Sequence, residues 1–187
     1  QARRNKIFPL SHCSVSIIVL SFLGAWVVSV PYEGQLLYTL AEYFNVDSYP
    51  WLAASLVMQI VGLLAGGLLI RTMEASKRVL LVAVPFCILC TGAFFFTSYW
   101  LWVVALLACS AAAGLCIASC WYFFRICTAP GQRFGIAVDL IIIISILKLM
   151  VNALVVYVSA YAGAALLIVI LSAAWYFTFR LPKEQKE

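Results

Sequence analysis

Four polar side chains interrupt stretches that are otherwise almost wholly apolar: Glu33, Gln59, Lys148 and Asn152. A carboxylate and an ammonium in such surroundings can pair, exchange a proton or hold an ion of opposite charge, and the two amides can orient a ligand by hydrogen bonding. Lys148 and Asn152 are four residues apart, so a helix puts them on one face. Glu33 sits in "VPYEGQL", after Pro31 and before Gly34. That pair of residues bends or opens a helix and frees backbone groups that a cavity can use. Glu33, Lys148 and Asn152 are therefore the expected substrate-binding or coupling set, with Gln59 a weaker member and a Glu33–Lys148 ion pair the sharpest expectation. Two plainer alternatives stand beside it. The first helix can end near Val30 and leave Glu33 at the membrane edge, or Lys148 can simply bond a backbone carbonyl or a lipid headgroup.

Catalytic chemistry finds little material. The chain has one histidine, His12, and no HExxH, GxSxG or phosphate-binding glycine loop. Its seven cysteines lie mostly in apolar runs. Cys87 and Cys90 have CxxC spacing without a second ligand pair, and they read as small packed residues. The expectation is a protein that is not an enzyme, with no cofactor and no metal.

The elements that must position the polar four follow from composition. Of 187 residues, 66% are hydrophobic and 10% charged, against about 45–50% and about 25% in soluble domains. A bilayer span needs roughly 20 mostly apolar residues. Six fit, at about 14–44, 50–70, 79–97, 100–124, 135–158 and 161–179, with "RTMEASKR" and "RICTAPGQR" among the breaks. A β-barrel would need short alternating strands, and the pattern has none. Arg3, Arg4 and Lys6 precede the first span, and Arg71, Lys77 and Arg78 follow the second. Arg125 and Arg133 follow the fourth, and Arg180, Lys183 and Lys186 the sixth. Basic residues mark the cytoplasmic side, so both termini are expected inside. This placement explains the net charge of +5 without direct nucleic-acid binding. Lys148 alone among the basic residues falls on no such connection. A charge at the bilayer centre costs at least about 2.5–3.5 kcal/mol, so it calls for a cavity or a partner. A start at Gln1 without Met reads as a piece of a longer chain.

Small residues point to tight helix contacts. Gly62 and Gly66 form a GxxxG in "VGLLAGGLLI", and Ser110 and Gly114 have the same spacing in "SAAAGLCIAS". Both are expected to pack helices within the bundle.

The stretch "LAEYFNVDSYPWLAASLVMQIVGLLAGGLLIRTMEASKRVLL" combines a short outer loop, a glycine-rich helix and a basic turn. It resembles the passage from helix 1 to helix 3 in the major facilitator superfamily. That family's turn reads Gly-x-Leu-x-Asp-Arg-x-Gly-Arg-Arg. Here Gly67 and Leu69 match, and Lys77 and Arg78 supply the trailing charges. Arg71 stands in place of the Asp and Glu74 in place of the second Gly. "APGQRFGIAVDL" is similar to the family's turn from helix 4 into helix 5, through Arg133 and Gly135. Ser110 occupies the place, four residues before Gly114, where the family often has Arg. The resemblance implies an all-α membrane domain of six helices that forms half of a twelve-helix unit around a central cavity. A second six-helix half would be its partner, alongside the lipid bilayer. Helices 1, 2, 4 and 5 would line the cavity, and Gly67, Arg71, Lys77, Arg78 and Arg133 would form the cytoplasmic gate turns. The implied function is transport of a small solute by alternating access, and a basic residue in the cavity points to an anionic one. The missing Asp raises the alternative of a degenerate, transporter-like sensor domain carried by a bacterial regulator.

Overall fold

The computed structural model describes residues 12–32, 35–96 and 98–181, and every regular element among them is helical. Six stretches are long and apolar enough to cross a membrane: Val15–Tyr43, Ser48–Leu69, Met73–Ala93, Tyr99–Cys127, Pro130–Tyr157 and Ala160–Phe179. The first comprises α1 (His12–Val27), a π-helical turn at Val28–Tyr32 and α2 (Gln35–Tyr43). The others are built on α3 (Ser48–Leu69), α4 (Met73–Ala93), α5 (Tyr99–Cys127), α6 (Arg133–Tyr157) and α7 (Ala160–Phe179). A bilayer offers no water to backbone N–H and C=O groups, so a chain this apolar satisfies them internally as helices. The chain is an integral membrane protein.

Short polar side chains start the helices. Asp47 Oδ1 accepts from the Tyr49 N–H, Thr72 Oγ1 from Ala75 N–H and Ser159 Oγ from Ala162 N–H, each at 3.1 Å. The turn between α2 and α3 passes through Asn45 at φ 52°, a left-handed conformation that asparagine tolerates. Capping also shifts one boundary from its expected place. α4 begins at Met73 rather than near 79, because Thr72 caps it and Glu74 stands in its first turn, where the helix dipole favours a carboxylate. Glu74 in turn pairs with Arg78 one turn on. The polar run read as a loop is thus mostly helix. At the other ends, α4 stops at Ala93, short of 97, and α5 runs on to Cys127, beyond 124.

α5 packs against α1, α3 and α4, while α1 packs against α5, α6 and α7, and α4 meets α7. These neighbour relations have a hidden order. Exchanging the first span with the fourth, the second with the fifth and the third with the sixth maps this set of neighbours onto itself. Two contacts lack an equally extensive counterpart: that of α6 with α7, which would map to α3 with α4, and that of the first span with α3, which would map to α5 with α6. Consecutive spans run antiparallel, so the exchange reverses direction and relates two inverted three-helix units.

The closest contact is α3 on α5. A Cβ on Gly62 would overlap the Ala111 carbonyl oxygen, and one on Gly114 would overlap the backbone of Gln59. A Cβ on Gly66 would stand 2.6 Å from that of Ala118. Bare glycines bring the two backbones together, which is how helices gain dispersion contacts where lipid removes the hydrophobic drive between them. Gly67 faces open space.

Elsewhere the core is aromatic and aliphatic. Trp26 and Trp102 are fully buried. The Trp26 indole N–H donates to Thr91 Oγ1 at 3.1 Å, and the Thr91 hydroxyl donates to the Cys87 carbonyl at 2.8 Å. Trp26→Phe should therefore lower stability by about 1 kcal/mol. Thermal unfolding in detergent checks this, and the loss should shrink when Thr91→Val is already present.

Candidate functional site

Cross-contacts identify the two ends of the bundle. At one end Phe44, Trp51, Tyr99 and Trp102 form a ring cluster, with centroids 5.9 Å apart for Phe44–Tyr99 and 6.3 Å for Trp51–Trp102. At the other end lie Arg71, Lys77, Arg78, Arg125, Arg133 and Arg180, and this is the basic end.

Between them runs a polar layer. Lys148 on α6 is nine residues before Tyr157, about 13 Å of rise from the aromatic end. Gln59 on α3 is eleven residues after Ser48, about 16 Å from the same end. Ser29 is the middle residue of the Val15–Tyr43 span and lies in its π-helical turn. That turn touches α3, α5 and α6. π-helical turns inside long helices often mark functional positions. Three oxygens here are buried without a hydrogen-bond partner among the described residues: Ser29 Oγ, Gln59 Oε1 and Asn152 Oδ1. Buried polar atoms are paired in the great majority of cases in folded proteins, so each of these oxygens calls for a cause. Lys148 is half-buried and makes no hydrogen bond or ion pair among the described residues. Glu33 lies outside the described residues, as do Arg3, Arg4, Lys6, Lys183 and Lys186.

An apolar groove of about 320 Å³ opens on the basic-end side of this layer. Gly24 and Val28 of the first span, Trp121 and Phe124 of α5, and Leu140 and Ile144 of α6 are among its walls. Spans one, four and five form it, and α3 contributes nothing to it. Lys148, Asn152 and Gln59 are not in its lining. Lys148 is nonetheless close in register. Ala137, Ile141 and Ile144 line the groove, and Lys148 continues that stripe one turn further along the same helix face. α6 is thinly covered, with Leu140, Val151 and Val155 its buried residues.

The basic residues divide into two kinds. Arg71 and Arg78 are exposed. The Arg71 carbonyl accepts from Tyr122 Oη at 3.2 Å, and Arg78 holds Glu74. Lys77 is buried, and its Nζ donates to the carbonyls of Phe179 at 2.9 Å and Leu181 at 2.5 Å. Arg133 donates from Nε to the Thr128 carbonyl at 3.3 Å and from an Nη to that of Arg125 at 3.1 Å. Each cation therefore satisfies the open carbonyls at a helix C-terminus, where the dipole favours positive charge. Lys77 ties α4 to the end of α7, and Arg133 ties α6 to the end of α5. Asp139 is exposed on α6. The five thiols of Cys87, Cys90, Cys109, Cys116 and Cys120 are buried in α4 and α5 and are not disulfide-bonded.

Ser29 escapes a reading of the sequence, since a serine in an apolar run is commonplace. Its position two residues before Pro31 is the only signal it carries. Comparison with protein-family models, with curated proteins and with solved structures finds no match to this chain.

Proposed function

We propose that this chain is one six-helix half of a facilitator-type secondary transporter, which carries a small solute across a bacterial inner membrane by alternating access with both its ends in the cytoplasm. The observation that carries the reading is the inverted three-plus-three neighbour relation. Secondary transporters are commonly built from such repeats, with their sites near mid-membrane beside interrupted helices. The π-helical turn of the first span and the polar residues within α3 and α6 fit that description. The alternation of basic connections supports the orientation. Helices α3 and α6, which correspond under the exchange, are the natural faces for a second half.

Lys148 and Glu33 take the coupling roles. A pair between them holds one state, and solute or a proton breaks it. In proteoliposomes carrying the full-length protein, Lys148→Ala and Glu33→Gln should each reduce uptake at least tenfold. Wild-type rates in both variants would remove these residues from the mechanism.

One observation favours a second reading, a membrane sensor. Arg71 replaces the family's gate Asp, while Lys77 and Arg133 fasten helix ends at the basic end. A sensor would bind its ligand and show no flux in the same liposomes.

A further inference from the structure

The groove and the lysine above it have complementary chemistry along one helix face. From the basic end outward, α6 presents Ala137, Ile141 and Ile144 to the groove and then Lys148, with Asn152 a turn beyond. The groove is walled by aliphatic and aromatic side chains, Trp121 and Phe124 among them. Such walls favour hydrocarbon or rings and offer nothing to a sugar or an inorganic ion. Its volume is about twice the roughly 150 Å³ of a cavity that admits benzene. Lys148 then supplies the charge recognition. The buried Asn152 oxygen, without a partner among the described residues, is one end of an amide whose O and N are interchangeable by a flip, so a donor can be turned to the same place.

We infer that the groove and the Lys148–Asn152 layer form one amphipathic site for an organic carboxylate with an apolar body of about two rings or a comparable chain. The carboxylate sits at Lys148 and Asn152, and the body lies along Ile144, Ile141 and Phe124 toward the basic end. This deepens, and rests on, the reading of the chain as a solute-binding membrane protein. It also separates two demands that the sequence blends. The charge selects the headgroup, and the groove excludes small hydrophilic anions.

The test is equilibrium binding to the full-length protein in nanodiscs, with radiolabelled 1-naphthylacetate as the probe and 1-naphthylacetamide and acetate as controls. The naphthylacetate should bind at least tenfold more tightly than the amide and at least a hundredfold more tightly than acetate. Lys148→Met should weaken naphthylacetate about tenfold and leave the amide unchanged. Ala137→Phe, which fills the groove from its basic end, should weaken both aromatic probes with the thermal midpoint retained. Lys148→Arg should rescue the preference for the charged probe. The inference is overturned if acetate binds as tightly as naphthylacetate, or if Lys148→Met and Ala137→Phe both leave naphthylacetate binding at the wild-type level. Flux is measured separately in liposomes. Binding that follows this pattern without flux keeps the site and removes the transporter. Flux of another solute with no naphthylacetate binding keeps the transporter and removes the site.

Discussion

Gly62→Leu should yield no stably folded six-helix bundle, and even Gly62→Ala should melt well below wild type. On helix propensity alone the alanine variant would gain about 1 kcal/mol. The sign reverses because the new Cβ would fall on the Ala111 carbonyl oxygen. That obstacle is backbone in the middle of α5, with no rotamer to turn away, so the helices must separate along their whole contact. Overpacking of this kind costs typically about 1–3 kcal/mol, and loss of the neighbouring close contacts at Gly66 and Gly114 adds to it. Gly67 is the internal control. It lies on the same helix five residues on, with nothing near its absent side chain, and Gly67→Ala should be neutral or slightly stabilising. The comparison is made by thermal unfolding of the detergent-solubilised proteins. If the alanine variants at 62 and 67 melt alike, the α3–α5 contact is not as described.

Lys77→Met should loosen the end of α7, 102 residues away in sequence, more than the helix it belongs to. The lysine is 8% exposed and bonds the carbonyl of Phe179, the last residue of α7, and that of Leu181 just beyond it. Removing a buried donor leaves its acceptors unpaired, at a cost of about 1–3 kcal/mol, and also removes a charge that suits the helix dipole. Amide hydrogen exchange around Phe177–Leu181 should quicken at least tenfold, while the ring cluster around Trp102 at the opposite end stays protected. Unchanged exchange at Phe177–Leu181 would show that the lysine is not holding that end.

These two residues also mark how far a sequence can be read. The Gly62–Gly66 and Ser110–Gly114 spacings are local patterns, and bare backbone at every fourth residue has few uses other than close approach. The six spans were legible for a similar reason, since the cost of polar groups in a bilayer writes them as long apolar runs. Lys148 and Asn152 stood out by contrast with their surroundings. Lys77 did not, because a lysine on a basic connection already has an explanation in membrane orientation, and nothing in "MEASKR" names the distant carbonyls it meets. The start of α4 at Met73 is hidden on the same ground, the polar run concealing a capped first turn. The groove was invisible: each of its walls is an ordinary apolar residue, and only the meeting of three spans makes it a space.

The inverted relation between the two halves of the bundle pairs α3 with α6, yet the two are not fastened alike. α3 meets α5 backbone to backbone across glycines, whereas the corresponding glycine contact of α6 sets Gly24 against the flexible tip of Ile144. One arm of a symmetric frame is welded and the other merely rests. A contact made through a side-chain tip can shift by a rotamer change where a main-chain contact cannot, so α6 is held less firmly than α3. The bundle's compliant member is the helix that carries the lysine.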